Sequence, residues 1–128
     1  MSNKKKILII ENNKKDLQFI LACLEDEDYQ ILIENNGADA LEVIKKDKPD
    51  LILLDLLIPD VDGIQVCKEL NAVCRGWKPK IIIMTHITLI LDKIKKDWFK
   101  ETNANNLLTK PINKNDLLEA VQRLFGQK

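Results

Sequence analysis

The sequence predicts an α/β fold, an open, doubly wound parallel sheet with helices on both faces. Three observations carry this expectation. Five short apolar runs alternate with segments whose apolar residues recur at helical spacing, the pattern of consecutive βαβ units. The runs are nearly continuous rather than alternating, as strands covered on both faces are. Four of them end in Glu11–Asn12, Asp55, Thr85 and Lys110–Pro111, polar groups that an open sheet gathers at the carboxyl ends of its strands.

The elements follow in order. KILII (6–10) is a β-branched run read as a buried strand. Asn13 caps the first helix with Asp16 three positions on, and Leu17, Ile20, Leu21 and Leu24 form its apolar stripe. YQILI (29–33) is the second strand. A short helix opens near Gly37, carries Ala40, Leu41 and Ile44 inward, and ends before Pro49. LILL (51–54) is the third strand, followed by a helix bearing Ile64, Cys67, Leu70 and Cys74. KIIIM (80–84) is the fourth, after which Ile87, Ile90, Leu91, Ile94 and Trp98 recur at helical spacing. Leu107–Leu108 is the fifth. Asn113 then caps a last helix whose Leu117, Ala120, Val121 and Leu124 face inward until Gly126 stops it. Right-handed crossovers make such a sheet open and doubly wound.

At 128 residues the chain is expected to be a single domain over residues 1–128, long enough for a hydrophobic core. Twenty acidic and twenty basic residues leave no net field to draw it to nucleic acid or an anionic membrane. No apolar run is long enough to span a bilayer, and MSNKKK does not read as a signal peptide. Cys23, Cys67 and Cys74 are an odd count without a CxxC pair, which fits small core residues in a reducing cytoplasm.

The chemistry centres on LILLDLLIPDVDG (51–63), where an apolar strand ends in one carboxylate, Asp55. A charge there is costly unless the sheet edge opens into a site. Glu11, Asn12, Asp55, Thr85 and Lys110 all fall at strand ends and together suit phosphoryl handling. Glu11 and Asn12 also read as the start of a turn and a helix cap, and Asp60 and Asp62 as turn and cap residues around Gly63. Trp77 and Trp98 read as packing or surface aromatics, and Trp98–Phe99 as part of a partner surface.

From KILIIENN through LLDLLIPDVDG and IIIMTH to LLTKPI, the chain resembles the receiver domain of two-component response regulators. The resemblance implies a flavodoxin-like, three-layer (βα)5 fold with strand order 2-1-3-4-5. It implies a phosphoacceptor that takes a phosphoryl group from a histidine kinase or phosphotransfer protein, then switches a surface for a downstream partner or an output domain. Asp55 would be the acceptor, Lys110 its charge-neutralising lysine, and Thr85 the hydroxyl that bonds the phosphoryl group. Glu11, Asn12, Asp55 and the Leu57 backbone carbonyl would hold Mg²⁺, and the Lys110–Pro111 peptide would be cis.

Three departures qualify the resemblance. Asn12 stands where the family usually has a metal-ligating carboxylate; an amide offers an oxygen without the charge, so weaker Mg²⁺ binding is expected. Leu107 replaces an aromatic residue that couples to the threonine. His86 follows Thr85 where a small residue is common, and reads either as a solvated loop residue or as a screen over the acceptor. The segment between Thr85 and Lys110 also looks longer than usual.

The alternative function is a degenerate receiver that binds a protein partner without phosphorylation. A haloacid-dehalogenase-type hydrolase would need a second Asp at position 57, which is Leu. A flavin- or nucleotide-binding domain would need a Gly-rich loop where the chain reads ENNKK. The chain is expected to be a stand-alone receiver or a piece of a larger protein.

Overall fold

The computed structural model describes residues 4–74, 76–86 and 98–126. Five parallel strands form one sheet: β1 (Lys5–Ile10), β2 (Tyr29–Glu34), β3 (Leu51–Asp55), β4 (Lys80–His86) and β5 (Asn106–Lys110), in the order β2-β1-β3-β4-β5. The described helices are α1 (Lys14–Leu24), α2 (Gly37–Asp47), α3 (Gly63–Val73), a short α4 (Trp98–Thr102) and α5 (Lys114–Phe125).

Both faces of the central strands are covered, because consecutive side chains point to opposite sides. Ile7, Ile9, Leu51, Leu53 and Met84 pack with Ile20 of α1 and Leu117 and Val121 of α5. Leu8, Ile10, Ile52, Leu54 and Ile83 pack on the other side with Ala40 and Ile44 of α2 and with Cys67 and Leu70 of α3. All five residues of β3 are buried, which puts Asp55 at the end of the most enclosed strand. β2 is the edge strand beside β1, as the order 2-1-3-4-5 implies, and Ile33 is exposed there.

Sequence-level capping holds in detail. Asn13 and Asn113 each accept from the backbone N–H three residues on, at Asp16 and Asp116, and Gly126 closes α5. Asp62 caps α3, while Cys74 forms its C-cap and lies half-buried beyond the last turn. Burial pushes the Cys67 thiol up to about 12, with the nearby Asp62 charge adding to it, so Cys67 behaves as an inert core residue. Trp77 and Phe99 both pack, partly buried, against the α2–α3 side of the core. The helical stripe expected from Ile87 to Ile94 lies outside the described residues.

Asp60 has a second task that its turn position hid. It adopts a left-handed backbone (φ 64°), which aspartate tolerates, and its carboxylate accepts from the Gly37 and Ala38 N–H groups at 2.9 and 3.3 Å. Together with the Val61 N–H, these donors hold the Asp60 carboxyl below the usual aspartate value. The loop after Asp55 is thereby fastened to the amino end of α2. Gly37 permits the approach: a Cβ there would lie 2.6 Å from Val61 Cβ and 2.9 Å from Val61 O. Gly37→Ala is expected to cost about 1–3 kcal/mol by overpacking, measured by urea unfolding, with faster amide exchange at Ala38 as the loop contact opens. Unchanged stability would mean the loop shifts freely.

Candidate functional site

The carboxyl ends of β1, β3 and β5 deliver Glu11, Asp55 and Lys110 to one point. Register explains the convergence: Ile10 lies opposite Leu54, Asp55 opposite Met84, and Lys110 opposite His86. The Lys110 ammonium donates to Glu11 Oε1 at 2.8 Å, to Asp55 Oδ2 at 2.9 Å and to Asp16 Oδ2 at 2.7 Å. Its three protons are therefore all used. Glu11 and Lys110 are 1% and 5% exposed, so these contacts act in a poorly hydrated setting. The Lys110–Pro111 peptide is cis, as expected.

Asp55 uses both oxygens: Oδ1 accepts from the Leu57 N–H at 3.0 Å while Oδ2 faces the lysine. The Leu57 side chain itself is exposed. Thr85, next to the end of β4, is 1% exposed, and its Oγ1 has no hydrogen-bond partner among the described residues. An orphaned buried hydroxyl is costly, so a hydrogen-bond partner there would be stabilising. His86 is exposed at the end of β4, which favours the solvated reading, and Leu107 is half-buried against the core.

The acidic positions separate. Glu11 turns inward, with Oε2 accepting from the Asn13 N–H at 3.1 Å and Oε1 on the lysine. Asn12 is exposed and borders a groove of about 350 Å³ beside α1. The helix cap is Asn13, so neither Glu11 nor Asn12 serves as one. The carboxylate that sequence reasoning missed is Asp16. Its place as third residue of α1 explains it as a capping partner, and nothing in the local pattern reveals Lys110, 94 positions away.

Burial raises the Glu11 carboxyl from 4.5 to about 7, helped by the hydrogen bond and charge of Asp55 and opposed by Lys110 and the Asn13 N–H. On Lys110, burial works against the charge, but the bonds to Asp16, Glu11 and Asp55 overcome it and hold the ammonium above the ordinary lysine value. A carboxyl raised in the folded state contributes stability below its unfolded pKa and loses it as pH climbs through the folded one. In metal-free buffer, wild type should thus lose about 3 kcal/mol more than Glu11→Gln between pH 4.5 and pH 7, read by urea unfolding at each pH. Parallel pH profiles would show that Glu11 titrates normally.

The donor set fits a hard divalent cation. Glu11 and Asp55 offer buried carboxylate oxygens, and the Asn12 amide and Leu57 carbonyl offer neutral oxygens nearby in sequence. No group of three or more His, Cys, Asp or Glu among the described residues is arranged as a metal cluster. A cation here would keep several waters, as Mg²⁺ with one or two carboxylates ordinarily does.

Comparison with known proteins gives a consistent answer. Residues 7–122 match the response regulator receiver domain. The chain is 29% identical over 121 residues to Protein PilH of Pseudomonas aeruginosa, covering 94% of this chain and 98% of PilH. It superimposes with a TM-score of 0.85 on the receiver domain of the sensor histidine kinase PA1611 from P. aeruginosa, solved with magnesium coordinated in its active-site cleft. Identity there is 26%, over 97% of this chain and 99% of that one. The chemotaxis response regulator CheY4 of Vibrio cholerae gives a TM-score of 0.83 at 25% identity, over 95% of this chain and 99% of that one. With its 2-1-3-4-5 parallel sheet and a match spanning nearly its whole length, this chain belongs to the receiver-domain family of two-component response regulators.

Proposed function

We propose that this receiver takes a phosphoryl group on Asp55 from the phosphohistidine of a histidine kinase or phosphotransfer protein. The observation that carries the reading is the buried Lys110 ammonium held 2.9 Å from Asp55 Oδ2 at the open end of the sheet. An Asp55 carboxylate oxygen attacks phosphorus, the O–P bond forms as the donor's P–N bond breaks, and the imidazole leaves with the bonding electrons. Lys110 transfers one of its hydrogen bonds to a phosphoryl oxygen and offsets the added charge. The Thr85 hydroxyl, without a partner among the described residues, donates to another phosphoryl oxygen. Glu11, Asn12, Asp55 and the Leu57 carbonyl would hold Mg²⁺, which when bound would supply positive charge to offset that of the phosphoryl group.

The chain acts as one signalling unit, with self-phosphorylation from small donors and self-dephosphorylation as its only chemistry. A downstream protein partner, or an output domain elsewhere in a longer chain, reads the change. Direct nucleic-acid binding is not part of the reading, since the charge is balanced. Three free cysteines suit a cytoplasmic setting, and no helix among the described residues is long and apolar enough to cross a membrane.

One observation favours the second reading, a phosphorylation-independent binding module: Asn12 lacks the charge that tight metal binding wants, and it is exposed. Incubation with phosphoramidate and Mg²⁺ followed by intact mass separates the two. A phosphoryl adduct is expected; none with small donors or a phosphohistidine protein would decide for the binding module.

A further inference from the structure

Asp16 is poorly explained as an ordinary first-turn acid. Such residues gain a little from the helix dipole and stay in water. Here the side chain is only 32% exposed and reaches 2.7 Å to the ammonium of a lysine on another element. The helix does not require this: the Asn13 side chain caps α1 through the Asp16 backbone N–H, whatever the side chain. Its carboxylate is thus committed to Lys110 and to the charge of the centre.

The charges show what this commitment does. Asp16, Glu11 and Asp55, when ionised, leave two negative charges in excess of the single lysine. A divalent cation cancels that excess. Without Asp16 the same cation would leave the pocket with a net positive charge, because Asn12 contributes none. The centre therefore has a full set of charges with one of them delivered from α1 and not from the end of β1.

We propose that Asp16 is a positioning residue of the phosphoacceptor centre, supplying the third negative charge that position 12 withholds, steadying Lys110 and strengthening Mg²⁺ binding. The inference rests on the reading of Asp55 as acceptor. It would act through Lys110 and through the charge it adds to the pocket that would hold the cation. Asp16→Asn keeps the shape and the backbone cap while removing the charge.

The test is calorimetric titration with Mg²⁺ of wild type, Asp16→Asn and the double variant Asp16→Asn/Asn12→Asp, with thermal unfolding to confirm that each is folded. Asp16→Asn should weaken Mg²⁺ binding by about tenfold, the effect of one unit charge a few ångströms from a divalent ion at a partly hydrated site. The double variant should recover it, because the charge returns by another route; a merely structural role for Asp16 would not be rescued from position 12. Unchanged affinity in Asp16→Asn, a loss that Asn12→Asp fails to restore, or a wild type that binds no Mg²⁺ would each overturn the proposal. Intact mass after phosphoramidate treatment of the same samples keeps the two questions apart. Wild-type uptake alongside unchanged affinity in Asp16→Asn removes Asp16 and leaves the acceptor standing. No uptake by wild type from phosphoramidate or from a phosphohistidine protein removes the acceptor reading, and the Mg²⁺ comparison then judges Asp16 by itself.

Discussion

Replacing Asp55 with asparagine is expected to abolish phosphoryl uptake outright, read as loss of the adduct by intact mass after phosphoramidate and Mg²⁺. An amide cannot act as the nucleophile, and no other carboxylate takes its place: Glu11 is bound by Lys110 and the Asn13 N–H, and Asp16 sits on α1. The substitution also has a cost in hydrogen bonds. Both Asp55 oxygens are acceptors, one from the Leu57 N–H and one from Lys110, whereas an amide has a single oxygen. One donor must face the amide nitrogen and go unmet. Against this, Glu11 loses an adjacent anion. Its carboxyl should fall from about 7, stopping above the ordinary value because burial, the largest cause, remains. Carboxyl NMR titration follows that shift. An adduct that survives in Asp55→Asn would place the acceptor elsewhere, and an unmoved Glu11 would show that the two carboxyls do not sense each other.

Lys110→Met should be the most destabilising change at the site, by about 3–5 kcal/mol at neutral pH, the usual consequence of removing one partner from a buried ion pair. Methionine fills much of the space, so the loss is mainly electrostatic: Glu11 and Asp55 are left as buried carboxylates without their cation. The pH dependence has a definite sign. The Lys110 bond is one of the groups holding the Glu11 carboxyl down, so without it Glu11 stays protonated to higher pH. The variant should therefore be closer to wild type at pH 5 than at pH 8, where ionisation sets like charges side by side. Adding Glu11→Gln should recover part of the deficit at pH 8. Urea unfolding at the two pH values decides it, and a deficit that is small and flat with pH would show that water already screens this centre.

The two variants also differ in what they report about phosphorylation. Asp55→Asn removes the proposed nucleophile and keeps the lysine proposed to neutralise its charge, whereas Lys110→Met keeps the proposed nucleophile in an unfavourable field. Residual slow uptake by folded Lys110→Met at high Mg²⁺ is consistent with the proposed roles. Uptake at the wild-type rate would remove Lys110 from the chemistry.

Periodicity alone laid out the strands and the helices that bracket them, because the difference between a doubly covered strand and an amphipathic helix is written in consecutive residues. KILII, LILL and KIIIM announce burial on both faces, and Asn13 and Asn113 announce helix starts whose partners lie three residues on. Likewise Asp55, at the end of an apolar run before a proline turn, stands out locally. What local pattern left open was the degree of burial: YQILI is an apolar run like the others, and its place at the sheet edge comes from the strand order. Phe99 shows the same limit, since an aromatic on a short helix carries no sign of whether that face is covered.

Which charges meet was decided by tertiary structure. Asp16 and Asp60 each obey a local rule, one as a cap partner and the other as a turn residue, and those rules conceal their distant contacts with Lys110 and with the amino end of α2. Asn12 and Glu11 are chain neighbours that both fall at the end of the first strand, yet only Glu11 bonds the lysine. The sequence by itself determined the elements and the strand-end positions of the candidate site residues, because backbone preference and burial act over a few residues. The partners of each charge were set only when strand register and helix packing fixed three-dimensional distances, since electrostatic pairing depends on separation in space and takes no account of separation along the chain.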